Sequence, residues 1–137
     1  MLNQSNAYTH PVLLVPVSHG ELLDKISILQ IKSERINDSR KLYNVNEELR
    51  VLQSVVQTAN LPDAALLLLL SLREINSQLW EVEDKIRACE QRLDFGDEFI
   101  ALARSVYHTN DQRAVLKRQI NELTGSTLVE EKSYADY

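Results

Sequence analysis

The chain has 137 residues, 44% of them hydrophobic and 26% charged, and its formal net charge is −5. With only three Gly and three Pro it lacks the turns of an all-β protein, and its length fits one helical domain over residues 1–137. The acidic balance argues against a nucleic-acid binder or a protein that coats acidic membranes, because both need a basic surface.

Residues 1–17 are predicted to form an extended N-terminal arm, because Pro11 and Pro16 prevent a helix there. The apolar run 12–15 is short and lacks the basic flank of a signal peptide. No apolar stretch approaches the roughly 20 residues that a membrane-spanning helix needs. We therefore expect a cytoplasmic protein without a membrane partner.

The first predicted helix follows Ser18 and runs to about Ile36. Ser18 lies three residues before Glu21, which is the spacing of a capping box. The turn cluster 37–39 ends this helix, and a second one is predicted from about Arg40 to Thr58. Apolar residues recur along one face of the second helix: Leu42, Val45, Leu49, Leu52 and Val56.

The third predicted helix, from about Ala64 to Leu93, follows a break at 60–63 and carries a heptad seam. Apolar residues alternate there at spacings of four and three: Leu68, Leu72, Ile75, Leu79, Val82, Ile86, Cys89 and Leu93. Such a seam is typical of a helix that packs against other helices, where Cys89 acts as a small hydrophobe. The segment Leu66–Leu70 is apolar all round, so we expect a second chain to cover it in a homo-oligomer, most simply a homodimer.

The fourth predicted helix begins near Asp97 and reaches about Leu123. Gly96 is expected to take the left-handed conformation in the turn before it. The polar run 108–111 indicates either a break or a polar layer within a continuous helix. The tail, 126–137, is predicted to pair with residues 12–15 as a small two-stranded patch. The fold class is an all-α antiparallel bundle of about four helices.

Polar residues at helical spacing form a stripe on three of these helices. We predict that the stripes converge on a site for an anionic small molecule, because Arg and Lys bind carboxylate or phosphate and Asn amides fix its orientation. Trp80 offers a face on which a base or sugar can stack. The candidate ligand-binding residues are Lys25, Lys32, Asn76, Trp80, Arg87, Tyr107, Asn110, Arg113, Lys117 and Asn121.

Glu83 is the candidate acid or base, because burial near Trp80 would raise its pKa. The cation-lined helical site of chorismate mutases is an analogy for catalysis by electrostatics alone. The alternative is a non-enzymatic oligomeric scaffold, in which the same charges form ion pairs between helices and subunits. Convergence of the stripes in one concave site favours binding, and their dispersal over the surface favours the scaffold.

Two E-x-x-D pairs, Glu21 with Asp24 and Glu81 with Asp84, are weak candidates for a magnesium site. Paired carboxylates on facing helices resemble the all-α nucleotide pyrophosphohydrolases, but those enzymes place their motifs on consecutive helices. His10, His19 and His108 lack the spacing of zinc ligands. We therefore expect no resident cofactor, with magnesium as the one alternative.

Four stretches of the chain resemble a bacterial family catalogued as domain of unknown function 6165. They are VSHGELLDKISIL from Val17, NSQLWEVEDKIR from Asn76, FIALARSVYHTNDQRAVLKRQIN from Phe99 and VEEKSY from Val129. The L-W-x-x-E-D string is also similar to a second uncharacterised helical family. Both tend to occur near genes for surface-glycan glycosyltransferases, which implies a role linked to surface-glycan assembly. No activity follows, but the motifs coincide with the three polar stripes.

Overall fold

The computed structural model describes residues 11–137, so His10 and most of the predicted arm lie outside the described residues. Within this range the chain forms four helices and no strand. They are α1 (His19–Arg35), α2 (Ser39–Ala59), α3 (Asp63–Gln91) and α4 (Asp97–Thr124). The prediction of an all-α bundle with one long third helix is confirmed.

Side-chain caps fix where the first two helices begin. The backbone N–H of Glu21 donates to Ser18 Oγ at 3.1 Å, and the N–H of Lys41 donates to Asp38 Oδ1 at 2.9 Å. Each cap satisfies a donor in the first turn that has no partner within its helix. The capping pattern in the sequence therefore predicts the first residue of α1 and of α2 to within one residue of its position in the structure.

The turn between α3 and α4 differs from the prediction. Leu93, and not Gly96, takes the left-handed conformation, with φ of 55° against −81° at the glycine. The N–H of Leu93 donates to the Glu90 carbonyl at 3.0 Å, and that of Asp94 to the Cys89 carbonyl at 2.9 Å. These two bonds form a Schellman motif and end α3 before Leu93, which is exposed rather than the last residue of the seam.

The central helix of the bundle is α1, which packs against each of the other three helices. The α3 helix also packs along α4, whereas α2 approaches α1 alone. Connections of three to five residues make helices that follow one another antiparallel. Because α1 is covered from several sides, adjacent positions on it, Leu22, Leu23 and Asp24, are all buried. The core joins them to Leu72 of α3 and Ile120 of α4.

Gly20 lets the start of α1 lie directly on α4. A Cβ atom at this position would stand 2.5 Å from the carbonyl oxygen of Lys117, closer than any real contact. The Gly20 N–H also donates to Asn121 Oδ1 at 2.7 Å. The glycine thus sets how closely the two helices approach.

The C-terminal half of the chain decides whether α4 is continuous and where the tail lies. The α4 helix runs without a break through 108–111 and buries Thr109, so the polar run is a layer within a continuous helix. The predicted strand pairing of the tail with 12–15 is wrong. The tail returns along α4, where Glu130 binds Lys117 and Tyr137 binds Asp111. Charged partners on α4 hold the tail, and no such partners are available at the apolar segment 12–15.

The N-terminal part of α3 leaves apolar side chains in solvent. Leu66, Leu67 and Leu70 are exposed, while Leu68 and Leu69 pack against the core. One chain therefore does not cover this segment, and its burial by a second chain remains a prediction. None of the helices within residues 11–137 is both long and apolar enough to cross a membrane.

Candidate polar cleft between α1, α3 and α4

A cleft of about 470 Å³ opens where the last turns of α1 meet the middle of α3 and α4. Its apolar walls come from Ile28, Ile31, Leu79 and Val106, and its polar lining comes from Lys32, Asn76, Trp80, Glu83, Asp84, Arg87, Asn110 and Arg113. The α3 and α4 helices have 29 and 28 residues and continue past α1, which has 17. The cleft therefore lies where the three-helix core gives way to a two-helix hairpin.

A buried carboxylate anchors the wall of the cleft. Asp24 is 1% exposed and accepts from Arg113 at both oxygens, with Nε at 2.8 Å from Oδ1. This bidentate pair fixes the plane of the guanidinium, and its hydrogen bonds raise the pKa of Arg113 against the opposing effect of burial. Arg113 keeps its other N–H groups for the cleft, because only Nε and one terminal nitrogen bind Asp24.

The same carboxylate orients an amide of α3. Asn76 Nδ2 donates to Asp24 Oδ1 at 2.9 Å and to Ser27 Oγ at 2.8 Å. The Ser27 hydroxyl in turn donates to the Asp24 carbonyl at 2.7 Å. Since both Nδ2 hydrogens are used, Asn76 retains its carbonyl oxygen as an acceptor at the cleft. Side chains from three helices are therefore fixed before any ligand arrives.

The opposite side of the cleft is looser. Arg87 Nε donates to Glu83 at 3.2 Å in an exposed pair one helical turn apart. Within residues 11–137, Lys32, Trp80 and Asn110 have no hydrogen-bond or ion-pair partner. All three are half-buried. An ammonium group, an indole N–H and an amide are thus available to a bound molecule.

Four predicted site residues lie outside this cleft. The Lys25 ammonium contacts Glu48 of α2 at 3.0 Å, and Tyr107 packs against Tyr137 of the tail. Lys117 is held between two carboxylates, and the amide oxygen of Asn121 accepts from the backbone at the start of α1. The three stripes therefore converge only in part, and Lys32, Asn76, Trp80, Arg87, Asn110 and Arg113 are the predicted binding residues that meet.

Lys117 forms a separate ionic cluster that joins the tail to the bundle. Its Nζ lies 2.7 Å from Glu21 and 2.5 Å from Glu130, and its side chain is only 10% exposed. Burial lowers the pKa of Lys117, but the hydrogen bonds to Glu130 and Glu21 outweigh it, and the pKa is raised. The hydrogen bond from Lys117 lowers the pKa of Glu130. Both side chains are therefore charged at neutral pH, and each is bound to the other.

The burial expected for Glu83 is not found. Its side chain is 55% exposed and bound to Arg87, so the environment that supported it as an acid or base is missing. The catalytic role of Glu83 stays a prediction, but one without that support.

The metal candidates do not assemble. No group of three or more His, Cys, Asp or Glu side chains within residues 11–137 is placed to hold a metal ion. Glu21, Asp24 and Glu81 each pair with a Lys or Arg, and only Asp84 lines the cleft without such a partner among the described residues. Basic residues already neutralise three of the four carboxylates that a magnesium ion would need.

Two structural residues of the site were not recognised in the sequence. Ser27 lies four residues after Leu23, at a position that the helical repeat assigns to the buried face. A hydroxyl in that position signals a buried polar partner, which proves to be Asn76. The sequence pattern presents Asp24 as a candidate metal ligand, and spacing alone does not reveal that Arg113 reaches it from α4.

The chain belongs to a family of unknown function (DUF6165), whose model matches residues 13–137. No curated protein and no solved structure gives a significant match. The family that the sequence motifs resemble is thus the family that the comparison identifies. Since no function is known for this family, the cleft is the feature of the chain that points to a function.

Proposed function

We propose that this protein binds a small anionic molecule in the cleft between α1, α3 and α4. The observation that carries the proposal is the convergence of polar side chains from three helices on one concave site. Arg113 and Asn76 are fixed there by hydrogen bonds to the buried carboxylate of Asp24. Preorganised polar groups lower the entropic cost of binding, because they need not be ordered when the ligand arrives.

Each part of the lining has a role in this proposal. The Lys32 ammonium and the free N–H groups of Arg113 bind the anionic group, and the Asn110 amide orients it. Trp80 and the apolar walls pack against a ring or an alkyl portion of the ligand. Sugar nucleotides, phosphates and carboxylates combine these features. They are also the compounds to expect if the role is linked to surface-glycan assembly.

A thermal-shift panel of these compounds, with and without magnesium, tests the proposal. At 100 times its dissociation constant a ligand adds about 2.7 kcal/mol to the free energy of unfolding. The shift should disappear in Lys32→Ala and persist in Lys25→Ala, which removes the same charge from α1 but outside the cleft. If every compound leaves the melting temperature unchanged, or if both variants lose the shift equally, the proposal fails.

A second proposal concerns assembly. The exposed leucines of α3, Leu66, Leu67 and Leu70, favour a homodimer in which a second chain covers them. In the scaffold alternative this interface is the function. The two proposals can be tested separately, because the leucines lie near the start of α3, whereas the residues of α3 that line the cleft begin at Asn76.

A further inference from the structure

The charges of the cleft are largely balanced within the protein, which limits the charge of a ligand. Its lining supplies the cations Lys32, Arg87 and Arg113 and the carboxylates Glu83 and Asp84, with Asp24 directly behind. Acids and bases are therefore equal in number. A site for a di- or triphosphate usually has a clear excess of positive charge.

Two of the three cations already have a carboxylate partner. Arg113 is bound to the fully buried Asp24, which no solvent ion can replace, and Arg87 is bound to Glu83 at 3.2 Å. Lys32 is the one cation of the cleft without an ion-pair partner among residues 11–137. A ligand can therefore pair with one cation of the cleft without breaking the ion pairs of Arg87 and Arg113.

Two of the remaining groups of the cleft are hydrogen-bond acceptors. Asp84 lines the cleft without an ion-pair partner in the described part of the chain, and Asn76 presents its carbonyl oxygen. Acceptors of this kind bind hydroxyl groups. The indole of Trp80 between them offers a flat apolar face to a ring.

We propose that the ligand is a hydroxylated ring with a single carboxylate, which is the chemistry of a sugar acid. Lys32 and the outer N–H groups of Arg113 bind the carboxylate, Asp84 and Asn76 accept from the hydroxyls, and Trp80 packs on the ring. This inference rests on the proposed function and narrows it, because a second negative charge would approach Glu83 or Asp84 with no cation left to neutralise it.

Three probes that share one ring and differ in charge test the inference: glucose, glucuronate and glucose 1-phosphate, at pH 7.5. Trp80 is the only tryptophan of the chain, so its fluorescence reports on the cleft, and none of the probes absorbs where it is excited. Glucuronate should bind most tightly. Glucose and glucose 1-phosphate should each bind about tenfold more weakly, a difference of about 1.4 kcal/mol.

Variants of two acidic residues of α3, one inside the cleft and one outside it, distinguish an effect of charge from one of shape. Asp84→Asn should bring the affinity for glucose 1-phosphate closer to that for glucuronate. Glu90→Gln, which changes the same charge on α3 outside the cleft, should leave the ratio unchanged. The inference is overturned if glucose 1-phosphate binds most tightly or if none of the three probes binds. The wider panel of compounds still decides the proposed function in either case. If the whole panel fails as well, both fall.

Discussion

Removal of Arg113 should damage the fold more than neutralisation of Asp24, although the two residues form one pair. In Arg113→Ala the carboxylate that remains is 1% exposed and keeps only the Asn76 amide as a side-chain donor. Breaking a buried pair by removing one partner costs about 3–5 kcal/mol. In Asp24→Asn the remaining guanidinium is 28% exposed, reaches water and still finds an amide oxygen. We expect a cost of about 2 kcal/mol there, close to that of one charged hydrogen bond.

Urea unfolding followed by circular dichroism measures both costs. Equal costs for the two variants, or a larger cost in Asp24→Asn, would refute the reasoning. Arg113→Lys keeps the charge and provides a milder variant if Arg113→Ala does not fold.

Four further predictions concern the rest of the bundle. Gly20→Ala should lower the free energy of unfolding by about 1–3 kcal/mol in urea titrations, because its Cβ meets the Lys117 carbonyl oxygen; a gain would mean that the helices separate freely. Leu93→Gly should raise it by about 1 kcal/mol by relieving the left-handed leucine, and a loss would contradict this. The hydrogen bond from Lys117 lowers the pKa of Glu130. This bond therefore contributes stability at pH values above the ordinary pKa of a glutamate, and the contribution is lost as pH falls through the lowered pKa. The protection of amides near Glu130 against hydrogen exchange, taken relative to the intrinsic exchange rate at each pH, should therefore fall in acid in wild type and be low already at neutral pH in Glu130→Gln. Leu67→Glu should reduce a dimer to monomers in native mass spectrometry, and a wild-type monomer would rule the dimer out.

The ends of the helices could be predicted because their signals are local. Ser18 and Asp38 bind backbone N–H groups three residues away, and such contacts are visible as spacing. The left-handed residue after α3 was predicted wrongly, because glycine is the residue that adopts this conformation most easily and Gly96 lies in the turn. The Schellman bonds form three residues earlier, at Leu93, and no spacing rule marks a leucine for that role.

The candidate site was predictable within a helix and less so between helices. Asn76, Trp80 and Arg87 share one face of α3 by spacing alone, and all three reach the cleft. Lys25 and Lys32 share a face of α1 by the same rule. Glu48 of α2 binds the first, however, and only the second reaches the cleft. Which neighbour covers each turn of a helix is a property of the packing that periodicity does not contain.

The tail shows the same limit. Lys117 has the charge of a ligand-binding residue, but its ammonium group donates a hydrogen bond to Glu130, 13 residues later, and is not free to bind a ligand. Because the tail has no periodic pattern, its path along α4 has no signal in the sequence. In the sequence Glu130 and Glu131 stand only within a family motif, and the fold is needed to place them beside Lys117 and Arg118 of α4.

The measurement that tests the central claim most directly is a titration of Trp80 fluorescence with glucuronate in wild type, Lys32→Ala and Lys25→Ala. We expect a saturable change in fluorescence in wild type and in Lys25→Ala. In Lys32→Ala the affinity for glucuronate should fall at least about tenfold, or by about 1.4 kcal/mol. A signal that does not respond to glucuronate or to any other anion of the panel would contradict a binding site in the cleft. An equal loss of affinity in Lys32→Ala and Lys25→Ala would also contradict a binding site in the cleft.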